Sequence, residues 1–312
     1  MAEGPLFWIL FNIGVLALLA LDLFVLHREH RVMRFREALA WSVFWIGLAA
    51  GFAVVIYFWR GTPKTLEFIT GYLVEESLSV DNLFVFLVLF QFFRVPAEYQ
   101  HKVLTFGIVG ALIARGAFIL VGVKLIQQFH WIIYVFGAFL IYTGINLLRS
   151  EEEDVQPEKN WILRLARRRL PVTNGYVGSK FFVTQAGRRL ATPLFLVLLV
   201  VESTDVLFAA DSIPAILAIS RDPFIVYTSN VFAILGLRAL FFALAGLIEA
   251  FHYLHYGLAA ILIFIGAKML LSAHYEIPIL VALGVVAGLL AISVVASMMF
   301  RKPKAVTSET KQ

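Results

Sequence analysis

Nine long apolar runs decide what this chain can fold into. They fall at about 5–26, 38–59, 66–93, 103–126, 131–148, 192–219, 223–249, 254–271 and 278–299. Each is long enough to carry an α-helix across a bilayer, which takes roughly 20 residues. The expected fold class is therefore an all-α polytopic membrane protein, a single transmembrane domain over 1–312 with about nine helices and the lipid bilayer as its solvent. Composition agrees: 61% of the 312 residues are hydrophobic, 15% are charged and mean hydropathy is +0.86. A soluble domain carries about 25% charged residues.

The chain has no cysteine, which excludes disulfides, thiolate metal sites and dithiol redox chemistry. Five methionines give little support for a soft-metal site. Met1-Ala2-Glu3-Gly4 offers no basic n-region, and the run 5–26 ends in basic residues instead of a cleavage site. That run reads as the first transmembrane helix.

Lysine and arginine set an expected orientation. With the N-terminus outside, the segments 27–37, 94–102 and 149–191 and the tail after 300 are cytoplasmic, and they hold 19 of the 26 Lys and Arg. The opposite loops hold three (Arg60, Lys64 and Arg221), and Arg115, Lys124, Arg238 and Lys268 lie within helices. This bias predicts N-out, C-in topology. It also explains the net charge of +5 without nucleic acid as a partner. The loop 149–191 carries the acidic cluster Glu151-Glu152-Glu153-Asp154. A basic amphipathic stretch follows, Trp161 to Leu170, closed by Pro171 and suited to a membrane surface.

The chain also repeats itself. Ser79-Val80-Asp81-Asn82-Leu83-Phe84 aligns with Ser203-Thr204-Asp205-Val206-Leu207-Phe208. At nearly constant offset Arg115 meets Arg238, Tyr134 meets Tyr256 and Gly144 meets Gly266. Each copy spans three helices, about 66–148 and 192–271, so the second enters the membrane from the opposite side. Inverted repeats of this kind belong to secondary transporters, which bind substrate near the midplane between the halves. Helices 5–26, 38–59 and 278–299 are peripheral to the repeat.

Chemistry concentrates in the first helix of each copy. Val74 to Phe84 holds Glu75, Glu76, Asp81 and Asn82, and Val201 to Pro214 holds Glu202, Asp205, Asp211 and Ser212. Ionisable groups at membrane depth cost roughly 2.5–3.5 kcal/mol each on insertion scales and mark functional sites. On an ideal helix Glu75 shares a face with Asn82, and Glu202 with Asp205, with Ser212 nearby. Asp81 and Asp211 fall off those faces. A break around Ala210–Pro214 is expected to re-aim Asp211, because proline removes a donor and disfavours helix before it. The two apolar runs that hold these motifs are long for one span, which fits either tilt or a helix broken near its middle. Carboxylate, carboxamide and carbonyl oxygens suit hard or intermediate divalent cations such as Mg, Ca and Mn. Arg115 and Arg238 need counter-charges and are expected to balance some of these acids. Asn230 and Asn146 read as interhelical hydrogen-bonders, and His101, His130, His252, His255 and His274 as interfacial polar residues. Asp22 reads as a snorkelling residue near its helix end. A buried carboxylate can also exchange a proton for a metal ion. His-Glu-x-x-His, Gly-x-Ser-x-Gly and P-loop motifs are all absent. An intramembrane protease dyad of Asp81 and Asp205 would leave four or more polar groups unused, so no enzyme is expected.

The two acidic stretches, with Thr228 to Arg238, resemble the signature stretches of the TerC family in its Alx-like branch, and the resemblance runs from about Trp8 to Met299. It implies a place among the LysE-type exporters and export of manganese(II) from the bacterial cytoplasm across the inner membrane. "Redox modulator" and tellurium resistance are older labels for the family. It carries the acidic residues over to Glu75, Asp81, Glu202, Asp205 and Asp211, with Asn82 alongside. Glu76 departs from the pattern, since some Alx-like proteins place Lys there. The expectation is a multi-pass exporter in which Glu75, Asp81, Asn82, Glu202, Asp205 and Asp211 bind the cation. Arg115 and Arg238 balance charge, protons serve as counter-ion and no cofactor is permanently bound. A membrane-bound redox modulator or partner protein without transport, and a transporter of another divalent cation such as calcium, are the rival functions.

Overall fold

The computed structural model describes residues 5–26, 35–129, 131–149, 160–185, 187–245, 254–272, 275 and 277–299. The side chains of residues 5–7, 21–26, 81, 84, 211 and 254 are outside that description. So are the acidic cluster Glu151–Asp154, His130, His252 and His274, and the tail after Met299. Each expected apolar run is helical over most of its described residues: α1 (Pro5–Leu26), α2 (Phe35–Arg60), α3 (Thr62–Phe92), α4 (Ala97–Gln128) and α5 (Ile132–Arg149). A short α6 (Trp161–Arg169) and the strands β1 (Phe182–Gln185) and β2 (Arg188–Ala191) follow, then α7 (Pro193–Leu217), α8 (Pro223–Ala245), α9 (Leu254–Leu271) and α10 (Ile279–Met299).

Helix starts follow local chemistry. Gly61 turns the chain at φ 81° and Pro63 enters the first turn of α3. Pro193 opens α7. Before α8, Asp222 Oδ1 accepts from the Phe224 N–H at 3.1 Å and caps the helix that Pro223 begins. Asn160 caps α6 in the same way, accepting from the N–H groups of Ile162 and Leu163.

Among the described residues, six helices (α2, α4, α5, α7, α8 and α10) are long and apolar enough to cross a membrane. The apolar stretches of α1 and α9 are shorter, Trp8–Ala20 and His255–Leu271. In α3 the charges Lys64, Glu67, Glu75, Glu76 and Asp81 punctuate an otherwise apolar helix. α8 is the centre of the bundle: 89% of its apolar window is buried, against 17% for α10. It is packed by α2, α3 and α4. The outer faces of the other helices are apolar, with Ile13, Phe58, Ile113, Leu120 and Ile292 all exposed. In water that surface would drive association, whereas hydrocarbon matches it.

The break expected in the two long acidic helices is absent. α3 and α7 are each continuous. Pro214 lies in the last turn of α7, where the Ala218 N–H donates to the Pro214 carbonyl at 3.0 Å and the helix ends at Leu217. A proline so close to a helix end can deflect only a short stub. It costs the Ala210 carbonyl its donor without unwinding the helix, and no break re-aims Asp211.

The acidic helices run in opposite directions. The start of α3 meets the end of α7 and the start of α8 through an ionic clasp. Arg60 Nη1 pairs with Asp222 Oδ2 at 2.7 Å, Lys64 Nζ with Glu67 at 2.8 Å, and the Ser220 hydroxyl donates to Glu67 at 2.5 Å. At the other end of the bundle the Tyr176 hydroxyl donates to the Phe93 carbonyl at 2.8 Å. There Lys102 donates to the Ser179 carbonyl and lies over the Phe181 ring. The antiparallel β1–β2 hairpin belongs to this end. Its turn uses Gly187 at φ 74°, a small strand element within the loop 149–191. α6 forms as expected, but its buried residues Leu163 and Ala166 join the core that includes Leu194, Val197 and Val200 of α7. That face is covered by protein. Trp161 and Leu165 stay exposed and are the part of α6 free to touch lipid.

Packing is reciprocal. α3 packs on α8 and α4 on α7, while α5 crosses α9. The α5–α9 crossing relies on small residues seven apart on each helix. A Cβ built on Gly266 would lie 2.6 Å from the Gly137 carbonyl oxygen, and one on Gly144 would lie 2.8 Å from the Ala259 carbonyl oxygen. Small residues let membrane helices approach backbone to backbone. Gly266→Ala is expected to lose about 1–3 kcal/mol through overpacking. Gly284→Ala in α10 meets nothing within 4 Å and is expected to be neutral or stabilising. Thermal unfolding of the two purified variants side by side checks this.

Candidate functional site

Four helices contribute to one buried polar cluster about midway along the bundle. From α3 come Glu75 and Ser79, from α4 Arg115, from α7 Asp205 and Ser212, and from α8 Asn230. All six are at most 4% exposed. Arg115 is the hub. Its Nη1 ion-pairs with Glu75 Oε1, donates to Asn230 Oδ1 at 2.9 Å and donates to Ser212 Oγ at 3.3 Å. Its Nη2 lies 3.9 Å from Asp205 Oδ1, within ion-pair range but too far for a hydrogen bond.

The cluster is under-satisfied. Glu75 Oε2, Asp205 Oδ2, Ser79 Oγ and Arg115 Nε are buried without a hydrogen-bond partner. Fewer than a tenth of buried polar groups are left so, and each one asks for a reason. Among the described residues no group of three or more His, Asp or Glu side chains is placed to hold a metal ion. What the geometry brings together is two carboxylates, one guanidinium and neutral oxygens.

The expected ligands divide accordingly. Glu75 and Asp205 meet at Arg115, and Asn82 is buried on the same helix as Glu75. Glu202 is partly exposed. Its carboxylate lies directly against the backbone of α4 at Gly110, in space that a Cβ at that position would occupy. Asp81 and Asp211 lie within α3 and α7, and their side chains are outside the described residues. Glu76 accepts from the Tyr72 hydroxyl one turn back in its own helix, so it is engaged apart from the Arg115 cluster. Arg238, also buried, donates from Nη1 to Thr105 Oγ1 at 3.2 Å. Asn230 is the interhelical hydrogen-bonder that its position predicts. Ser79 was missed by reading the motif alone, although it stands one turn after Glu75 and a helical period would have found it. A further link, Asn160 Nδ2 donating to Ser203 Oγ at 2.9 Å, ties the capping residue of α6 to α7 between Glu202 and Asp205. No sequence signal marks that contact.

A model of the integral membrane protein TerC family matches residues 60–305. The chain belongs to the TerC family. A membrane protein of Myxococcus xanthus is 52% identical over 95% of this chain and 92% of its own. An Escherichia coli (strain K12) TerC relative, named as a candidate membrane-bound redox modulator, Alx, is 47% identical over 92% of both chains. A Rickettsia bellii membrane protein is 43% identical over 93% of this chain and 96% of its own. No solved structure matches. As in the rest of the TerC family, the chain is an integral membrane protein with several apolar helices.

Glu75→Gln is expected to destabilise strongly, by about 3–5 kcal/mol, because it strands a buried guanidinium. The double variant Glu75→Gln/Arg115→Met is expected to recover much of that loss. Thermal unfolding of the four proteins of this cycle measures the coupling.

Proposed function

We propose that this TerC-family protein exports a divalent metal ion, manganese(II), from the bacterial cytoplasm across the inner membrane. The observation that carries this reading is the buried, under-satisfied carboxylate pair Glu75 and Asp205 about midway along antiparallel helices. A bilayer-spanning protein keeps ionised acids there at a cost and uses them. Glu75, Asp81, Asn82, Glu202, Asp205 and Asp211 supply oxygen ligands, the donor type that suits manganese, calcium and magnesium. Arg115 and Arg238 balance the residual charge. Protons returning on the vacated carboxylates provide a counter-ion.

The chain crosses nine times, N-terminus outside. Residues 66–148 and 192–271 form inverted repeats with the site between them, and helices 5–26, 38–59 and 278–299 stand outside. The antiparallel run of α3 and α7 supports this, as does the reciprocal packing of α3 on α8 and α4 on α7. At the α5–α9 crossing, Gly137 opposite Gly266 and Gly144 opposite Ala259 are contacts that exchange under the repeat. The name carried by the Escherichia coli relative favours a second reading, redox modulation. With no cysteine in the chain, such a role would act through a bound cofactor or through supply of a redox-active metal.

Proteoliposomes with an imposed pH gradient, offered manganese, calcium, magnesium and zinc in turn, test the proposal. The expected result is manganese flux that Asp205→Asn and Asp81→Asn each reduce at least about tenfold, equal to 1.4 kcal/mol of lost interaction. Flux unchanged in both variants, or no flux of any ion, would sink the reading. A co-purifying flavin or quinone would favour the second.

A further inference from the structure

We infer that Arg115 is a tethered competitor for the transported cation: its guanidinium occupies the carboxylate site and must leave Glu75 and Asp205 for a divalent ion to bind. This rests on the transport reading above and names how the same site is regulated.

The argument begins with how poorly Arg115 is held. A guanidinium with a purely structural role uses its planar fork, two parallel donors to one carboxylate, and satisfies its remaining N–H groups. Here a single nitrogen, Nη1, serves Glu75, Asn230 and Ser212 at once. Nη2 reaches Asp205 only at 3.9 Å, and Nε donates to nothing. Each carboxylate likewise spends one oxygen on Arg115 and keeps the other, Glu75 Oε2 or Asp205 Oδ2, without a partner. Ser79 Oγ adds a third orphan oxygen, one turn from Glu75.

Charge points the same way. Glu75 and Asp205 carry two negative charges when ionised, and Arg115 returns one positive charge. A divalent cation would neutralise both and could coordinate the oxygens that Arg115 leaves idle. The two cations exclude each other, since both need the same two carboxylates in a water-poor site where like charges repel strongly. Asn230 and Ser212 hold Nη1 in the competing position with neutral hydrogen bonds. Arg115 therefore lowers cation affinity and helps the ion leave: its return to Glu75 and Asp205 ejects the cargo. A transporter needs that release, because a site that only binds tightly does not turn over.

The test uses the full-length protein in nanodiscs, with manganese(II) chloride as the probe and free manganese read by electron paramagnetic resonance. Arg115→Ala is expected to bind manganese about tenfold or more tightly than the unsubstituted protein, a typical size for coupling between two ligands. Its flux in proteoliposomes is expected to fall. Arg115→Lys keeps a competing charge and should bind close to the unsubstituted protein. Free guanidinium ion at sub-denaturing concentration should weaken manganese binding to Arg115→Ala, by refilling the vacated hole, and leave the unsubstituted protein unaffected. A merely structural arginine would not produce that reversal. If Arg115→Ala fails to fold, Asn230→Ala, which removes one anchor of Nη1, should raise affinity several-fold by the same logic. Equal or weaker binding in the folded variant, or no guanidinium effect, overturns the inference while leaving transport intact. Failure of the unsubstituted protein and every variant to bind manganese, calcium or magnesium removes the transport reading as well.

Discussion

The ion pair between Arg115 and Glu75 is the constraint on which the rest of this bundle depends. Burying a carboxylate or a guanidinium alone costs several kcal/mol even after relaxation, and an unmatched one is worse in a membrane. The pair is tolerable only if α3 and α4 hold their registers, since a slip of one residue rotates a side chain by about 100° on a helix. α7 and α8 must then deliver Asp205, Ser212 and Asn230 to the same guanidinium. Four helices are thereby registered against one another by a single side chain. The lipid-facing surface cannot do this, because one apolar residue serves there as well as another.

Around that cluster, packing is arranged for close approach. Gly110 accepts the Glu202 carboxylate against the backbone of α4, and Gly71 lets Ser229 come near α3. The bundle is stitched at both ends by polar contacts, the Arg60–Asp222 clasp at one and the Tyr176 and Lys102 contacts at the other. Between them, around the buried cluster, most of the interior is aliphatic and aromatic. A charged centre in an apolar matrix is well suited to two alternative pairings, since neither is masked by water.

Much of this was legible in the chain, and the pattern of what was not is instructive. Apolar run length located α1 to α5 and α7 to α10, and among the described residues six of these are long and apolar enough to cross a membrane. The acidic motifs and Arg115 stood out because expensive residues are conspicuous against a cheap background. Local geometry was less readable. Pro214 looked like a break because its effect was judged without knowing where the helix ends. Three residues from a terminus it has little helix left to disturb. The β1–β2 hairpin went unread because its strands are four residues each and lie in a polar loop where periodicity is weak. Side-chain partners across helices were least accessible. Both arginines were expected to balance acids, and only contact between helices shows that Arg115 meets two carboxylates at once, together with an amide and a hydroxyl.

The composition of the Arg115 cluster has a consequence for directionality on the transport reading. If residues 66–148 and 192–271 are inverted copies, a site built symmetrically from them would look alike from both sides of the membrane. The copies do not match where it matters. The position equivalent to Glu75 is Leu199, the one equivalent to Asn230 is Gly107, and Glu202 corresponds to Leu78. Asp81 and Asp205, and Arg115 and Arg238, are the matched pairs. On that reading, the two-fold relation would supply a frame in which either half could move against the other, and the unmatched residues would load that frame unequally. One guanidinium sits among two carboxylates, an amide and a hydroxyl. Glu202 lies off that cluster, against Gly110 and near the side to which Asn160 and α6 are tied through Ser203. On the transport reading, a cation arriving past Glu202 would meet an acid before it met Arg115, and one arriving from the Arg60–Asp222 end would meet the clasp first. On the transport reading, symmetry of fold with asymmetry of charge would let a single chain offer alternating access and still favour one direction.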